Sequence, residues 1–322
     1  MDYYNLNHKK ISNGLLIFNG ILVVLVILMF FVVYSEMHKP KPVEVAVETP
    51  AEPTPFDTLA IGAKAAYVYD LAENKVLYKK NEFAQLPLAS LTKLMTALTA
   101  TELLPKDSNI TIRKEFLEED GDTGLLVDES WKLADLLDFS LVVSSNDGAR
   151  SIASVIGAMD LKTDDYDLGR KDFITKMNQK AQDLGLKQTY FINESGLDVG
   201  EVSGGYGSAI DVATLMGYII KNTPDILEAT RHETITVKSA TKTHTGENTN
   251  IEAGEIPGLL GSKTGFTDMA GGNLAVVFDA SIGHPIVVVV LGSTIEGRFT
   301  DVSKLVNASF QYVAGTSPLT LQ

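Results

Sequence analysis

From Leu15 to Tyr34 the chain runs twenty residues, LLIFNGILVVLVILMFFVVY, without a charged side chain. At 1.5 Å per residue this is about 30 Å of helix, the thickness of a bilayer's hydrocarbon core. The pattern predicts a membrane-spanning helix over 15–35, preceded by a short tail over 1–14. No small-x-small cleavage site follows at Ser35-Glu36-Met37-His38, so the span reads as an uncleaved signal-anchor. Lys9 and Lys10 precede it and Lys39 and Lys41 follow it, so basic flanks alone leave its orientation tied. The next stretch, KPKPVEVAVETPAEPTP (39–55), alternates proline with small and acidic residues. Such a segment cannot bury a core and favours extended backbone, which predicts a semi-rigid stalk over 36–56 and a separate domain over 57–322.

Within that domain the period changes. AAYVYDLAENKVLYKKN (65–81) alternates apolar and polar positions on both sides of a polar turn, a hairpin pattern. Leu91, Leu94, Met95 and Leu98 then recur at helical spacing, with Pro105 closing the run. Further helices are predicted near 131–143, 147–158, 171–184, 209–221 and 224–230. Three β-type runs follow, GLLGSKTGFT (258–267), GGNLAVVFDA (271–280) and PIVVVVLGST (285–294), and FTDVSKLVNASFQYV (299–313) reads as an amphipathic helix. The order strands, helices, strands, helix is not the alternation of a doubly wound sheet. It predicts an α+β fold: an antiparallel sheet of about five strands drawn from both ends of the domain, flanked by terminal helices, with a helical cluster inserted between. The glycine-rich VGEVSGGYGSAID (199–211) reads as a mobile loop near a cleft.

Composition narrows the classes. With 322 residues, 45% of them hydrophobic, the chain can bury a full core. A formal net charge of −14 argues against nucleic acid as a partner and against docking on an anionic membrane surface. Without cysteine there is no disulfide framework and no thiolate metal site. The five histidines, at 8, 38, 232, 244 and 284, show no ligand spacing, so no metal and no cofactor is expected.

The candidate chemistry begins with a serine and a lysine three apart. The pattern occurs twice, as Ser90 with Lys93 and as Ser239 with Lys242. The second pair lies in VKSATKTHTGENTN, polar and unpatterned, and reads as an exposed loop. The first opens an apolar helix, where positions i and i+3 share a face and the N-terminal dipole favours a developing oxyanion. Taken alone, Ser90 reads slightly better as a helix cap. Two further motifs bear on it: Ser144-Ser145-Asn146, an S-x-N between two helical segments, and Lys263-Thr264-Gly265 inside a strand pattern. A glycine within a strand marks close approach by a ligand or another backbone.

S-x-x-K, S-x-N and K-T-G stand in that order, 54 and 119 residues apart. Together they form the motif set of β-lactamases and penicillin-binding proteins. PLASLTKLMTALTA, SSNDGA, FINESGLD and GSKTGFTDMAGG resemble, more closely, the serine-type D-alanyl-D-alanine carboxypeptidases, the low-molecular-mass penicillin-binding proteins with a β-lactamase/transpeptidase-like fold. The resemblance runs from about residue 57 to 315. It implies that Ser90 attacks the carbonyl between two D-alanines of a peptidoglycan stem peptide, that an acyl-enzyme forms, and that β-lactam antibiotics inhibit. No histidine sits in the three motifs, which leaves Lys93 as the simplest base. Burial and a nearby cation would have to depress it, and Lys263 is expected to be that cation and to stay charged. By the same resemblance Ser144 relays protons to the leaving amine, Asn146 holds the substrate amide, Lys263 and Thr264 bind the terminal carboxylate, and Gly265 lets the substrate lie along the strand. The backbone N–H groups of Ser90 and Phe266 would form the oxyanion hole. A substrate outside the cytoplasmic membrane places residues 38–322 outside, with the N-terminal span replacing the C-terminal anchor that many relatives carry after a second β-rich domain. GTSPLTLQ at the end is too short and polar to be such an anchor.

Three rivals share much of this pattern. A class A β-lactamase needs a glutamate in E-x-x-x-N between the second and third motifs, and none of Glu194, Glu201, Glu228, Glu233, Glu247, Glu252 or Glu255 has asparagine four residues on. A D,D-endopeptidase that cuts peptidoglycan cross-links carries all three motifs. A catalytically silent wall-binding module is the rival of another class, against which the complete motif set argues.

Overall fold

The computed structural model describes residues 13–39, 53–121 and 123–315. Most of the expected tail, residues 40–52 of the proline-rich stalk and the C-terminal residues after Gly315 lie outside the described residues. The chain divides into two compact units, Met1–Glu52 and Pro53–Gln322. In the first, the uncharged run forms helix α1 (Asn13–Met37). Among the described residues, its stretch Ile17–Met37 is long and apolar enough to cross a membrane, and none of it is buried. It is a candidate membrane anchor.

The second unit opens with the expected hairpin, β1 (Ala65–Asp70) and β2 (Lys75–Lys80). Asp70, fully buried, closes its turn: one carboxylate oxygen accepts the N–H groups of Ala72 and Glu73, both at 2.9 Å, and the other meets His284 Nε2 at 2.6 Å. A short strand β3 (Leu86–Pro87) leads into a 3₁₀ turn (Ala89–Leu91) and helix α2 (Thr92–Leu103). The helical cluster follows as α3 (Leu133–Val142), α4 (Asn146–Leu161), α5 (Tyr166–Asp183) and α6 (Ala209–Asn222). The strand-rich C-terminal part carries β4 (Leu259–Thr267), β5 (Gly271–Asp279) and β6 (Pro285–Ser293), then α7 (Gly297–Val313).

These strands form one five-stranded antiparallel sheet in the order β4-β5-β6-β1-β2. Both of its faces are covered. On β6, Val287, Val289 and Leu291 enter a core shared with α2 and α6, whereas Ile286, Val288 and Val290 enter a second core against α7. Alternation still operates, because successive side chains point to opposite faces. It is hidden in PIVVVVLGST because both faces need apolar residues.

Three sequence expectations need correction. Residues 224–230 are not an α-helix but two 3₁₀ turns, Pro224–Ile226 and Glu228–Arg231. Thr230 there is held to β4, its Oγ1 accepting the N–H of Ser262 at 3.0 Å and its carbonyl the Ser262 hydroxyl at 3.1 Å. The stretch around Ser239 and Lys242 is not an exposed loop. It joins strands Thr234–Lys238 and Thr243–Glu247, a hairpin whose buried positions include His244, Gly246 and Asn248. Its period of two is carried by histidine, glycine and asparagine, which a hydrophobicity pattern does not register. Ser239 is buried, donates to Glu129 Oε1 at 3.0 Å and accepts the N–H of Lys242 at 3.0 Å. Residues 199–211 are not one loop either: a short strand, Gly205–Gly207, pairs with β3, and Ser208 caps α6.

Candidate active site

Ser90 sits in a turn clamped on several sides. Ala89 before it is in the left-handed region at φ 48°, a conformation that costs an alanine energy and persists only when neighbours enforce it. Leu88 and Leu91 on either side are buried, anchoring the turn in the core. Asn273 on β5, itself fully buried, donates its amide to the carbonyls of Pro87 at 3.0 Å and Leu88 at 3.1 Å. Gly196, at φ +83°, lies against the far side, so close that a Cβ there would stand 1.9 Å from the Ala89 carbonyl oxygen. Ser90 does not cap α2: Leu91 occupies the cap position and no side chain bonds the helix terminus. Of the two readings its position allows, the cap is excluded.

One turn into the helix, Lys93 points back at it. The ammonium nitrogen lies 3.0 Å from Ser90 Oγ, 2.7 Å from Asn146 Oδ1 and 2.8 Å from the carbonyl of Ser195. Those three acceptors match the three donors of an ammonium group, and Lys93 is 2% exposed. Burial pushes its pKa down to about 7, against the opposing pull of the Glu194 and Glu119 carboxylates. Its pKa therefore lies near neutrality, and of the two causes the sequence suggested, burial and a neighbouring cation, burial is the larger.

The S-x-N turn brings up the second motif. Ser144 also has positive φ, 61°, and its hydroxyl accepts from Lys263 Nζ at 2.9 Å. Ser145 is structural: its Oγ caps α4 by accepting the N–H of Gly148 at 3.0 Å. Asn146 uses its amide oxygen on Lys93 and donates its amide nitrogen to the carbonyl of Asp120 at 2.7 Å. It thus holds the lysine.

The third motif lies on β4, the edge strand of the sheet, open on the side away from β5. Lys263 is 1% exposed and also donates to the Thr264 carbonyl at 3.0 Å. Burial holds its pKa well below the ordinary lysine range, and the charges of Lys93 and Arg298 lower it further. Burial thus works against the charge that the sequence reading expects Lys263 to keep. Thr264 Oγ1 donates to Thr249 Oγ1 at 2.6 Å, and Arg298 Nη1 donates to the Gly265 carbonyl at 3.0 Å. Gly265 is a close approach of two backbones: a Cβ there would lie 2.8 Å from the Leu88 carbonyl oxygen and 3.2 Å from the backbone nitrogen of Ser90. Phe266, next on the strand, is 44% exposed.

Hydrogen bonds thus join Ser90, Lys93 and Asn146 in one group and Ser144, Lys263 and Thr264 in another, while Gly265 lies against the Ser90 turn. Ser239 and Lys242 belong to neither group. Pattern reading missed Asn273, Thr249, Arg298 and the carbonyl of Ser195. Only Asn273 carried a faint signal, as a polar residue interrupting an otherwise apolar strand. Among the described residues Asp70, Glu73 and His284 could also bring three ligand atoms within 4.8 Å of one another, but Asp70 is already committed to its turn.

Residues 47–294 match the peptidase S11 family, D-alanyl-D-alanine carboxypeptidase. The chain belongs to that family. A D-alanyl-D-alanine carboxypeptidase of Bacillus subtilis, DacF, is 30% identical over 258 residues, spanning 78% of this chain and 63% of its own length. A D-alanyl-D-alanine endopeptidase of Escherichia coli is 30% identical over 269 residues and 81% of each chain. Penicillin-binding protein D2 of Listeria monocytogenes, solved with ampicillin bound, superposes with a TM-score of 0.67 at 32% identity, covering 78% of this chain and 99% of that one. The family's fold agrees with the five-stranded sheet and inserted helical cluster described above.

Proposed function

We propose that this chain is a membrane-anchored, serine-type D-Ala-D-Ala carboxypeptidase that removes the terminal D-alanine from peptidoglycan stem peptides and is acylated by β-lactams. One observation carries the reading: a buried lysine with a pKa near 7 lies 3.0 Å from the hydroxyl of a serine held in a strained turn. A neutral Lys93 amine takes the Ser90 proton as Oγ attacks the carbonyl between the two D-alanines. The new oxyanion is received by the backbone N–H groups of Ser90 and Phe266, each such donor lowering the barrier by about 3 kcal/mol. Collapse of the tetrahedral centre breaks the C–N bond, and the departing D-alanine amine receives its proton from the protonated Lys93 through Ser144. Water then attacks the ester and returns Ser90 to its starting state. The substrate lies along the edge of β4, beside the Ser90 turn that Gly265 lets approach the strand, and Asn146 faces its amide. Its terminal carboxylate sits against Lys263 and Thr264 and restores the charge that burial disfavours on Lys263.

The anchor and stalk fit a substrate outside the cytoplasmic membrane, with the domain from about residue 57 on that side and the N-terminal tail within. Labelling by a fluorescent penicillin, lost in Ser90→Ala, tests the acyl-enzyme. A stable wild-type protein that takes no label would sink it. A second reading, D,D-endopeptidase cleavage of cross-links, is favoured by the Escherichia coli relative, which this chain spans over 81% of its length against 63% for the Bacillus carboxypeptidase. Product analysis on a stem pentapeptide and on a cross-linked dimer separates the two.

A further inference from the structure

Behind Lys93 stands a buried ion pair that none of the three motifs includes. Glu194 is fully buried, and both its carboxylate oxygens accept from Arg170 Nε on α5, at 3.0 and 2.9 Å. Glu194 also occupies a structural junction. Its carbonyl accepts the Thr96 hydroxyl of α2 at 2.7 Å, and the next carbonyl, that of Ser195, accepts from Lys93 at 2.8 Å. Asn193 closes the segment by accepting the N–H of Gly196 at 2.7 Å, and Gly196 packs on Ala89. Residues 193–196 are thus the back wall of the Ser90–Lys93 pair, and the ion pair fastens that wall to α5.

A carboxylate is a costly wall material. Burying an ion pair forfeits hydration that well-packed apolar side chains would not, so its presence here asks for a role besides stability. We infer that the Glu194–Arg170 pair is a positioning device for Lys93: it holds the Ser195 carbonyl against the amine and places a fixed negative charge behind it. The inference rests on Lys93 being the base for Ser90. Burial alone would drive the lysine towards a weak base that is always neutral, and a nearby carboxylate limits that fall. The charged groups around the amine are Glu194 on the back wall, Glu119 on the segment before the S-x-N turn, and Lys263 on β4. Arg170 and Arg150 pair with the two carboxylates, and Arg298 acts on Lys263.

The test is the pH dependence of acylation of the full chain by a fluorescent penicillin, each protein normalised to its own plateau. In the wild type the acid limb should fall near pH 7. Glu194→Gln should move it about one pH unit lower, roughly a tenfold gain in relative rate on the limb. Glu194→Met combined with Arg170→Met, which replaces the pair by apolar side chains, should move it the same way. Glu119→Gln should move it less. A merely structural pair would change yield or melting temperature and leave the limb in place. Coincident limbs, loss of folding in both Glu194 variants, or a larger shift in Glu119→Gln would each overturn the inference. A wild type that is not labelled at any pH would instead remove the acyl-enzyme reading itself, and this inference with it.

Discussion

Replacing Lys93 by methionine should change how stability depends on pH more clearly than it changes stability itself. The folded lysine has a pKa of about 7 and its ordinary value is 10.5. Between those values the unfolded chain binds a proton that the folded chain does not, so the wild type gains stability as pH rises, at about 1.4 kcal/mol per pH unit. Below pH 7 both states are protonated, the penalty for burying the charge is fully present, and the slope vanishes. From pH 7, where the folded amine is half protonated, to about pH 9 the gain is about 2 kcal/mol. The methionine side chain of the variant cannot titrate, so the wild-type advantage should widen by that amount over the interval. Lys263 is depressed in the same direction and titrates in both proteins. Removing the Lys93 charge raises Lys263 towards its ordinary value, which can only increase the difference. The absolute effect at any one pH is less informative, because Ser90 Oγ, Asn146 Oδ1 and the Ser195 carbonyl each lose a partner at about 1–3 kcal/mol. Denaturant unfolding of the full chain in detergent reports the quantity directly, since the single tryptophan, Trp131, is fully buried in the catalytic unit. Parallel stability curves for the two proteins between pH 7 and 9 would show that folded Lys93 keeps its proton, and its role as the base for Ser90 would go with that result.

Other substitutions probe the scaffold of the site. Gly196→Ala must hold φ +83° and drive a Cβ into the Ala89 carbonyl, so it should cost about 3 kcal/mol or more in thermal unfolding and abolish penicillin labelling. Asn273→Asp keeps an acceptor for the Gly292 N–H but loses the donor to Pro87 and Leu88. The turn should loosen, lowering the second-order rate of penicillin acylation roughly tenfold or more. Ser145→Ala removes a helix cap and a hydrogen bond with Thr123, and should cost about 2 kcal/mol in a melting experiment while labelling persists.

Much of the sheet was legible from the chain. The runs at 65–81, 258–267, 271–280 and 285–294 gave its five strands, the first through alternation around a polar turn and the other three through apolar stretches buried on two faces. The Thr234–Glu247 hairpin was not legible. Its buried positions include polar and small side chains, His244 and Ser239 being satisfied by Glu129 more than a hundred residues away in sequence. The motif residues were recognisable by type and order, yet the surroundings of two of them were not. Lys263 proved as buried as Lys93, and Asn146 proved to be a ligand of the lysine.

By itself, then, the sequence determined the candidate anchor, the sheet, the helical cluster and the chemical types available to the site. Those follow from local periodicity and from residue identity. Tertiary structure decided which of two serine–lysine pairs is brought together in a buried site, that burial depresses each lysine, and which groups hold Ser90 in its strained turn. Asn273 reaches Pro87 across 186 residues, and Ser195 reaches Lys93 across 102. A hydrogen bond between such distant segments leaves no periodic trace in the chain, because its energy exists only once the segments have been packed together and water has been removed from between them.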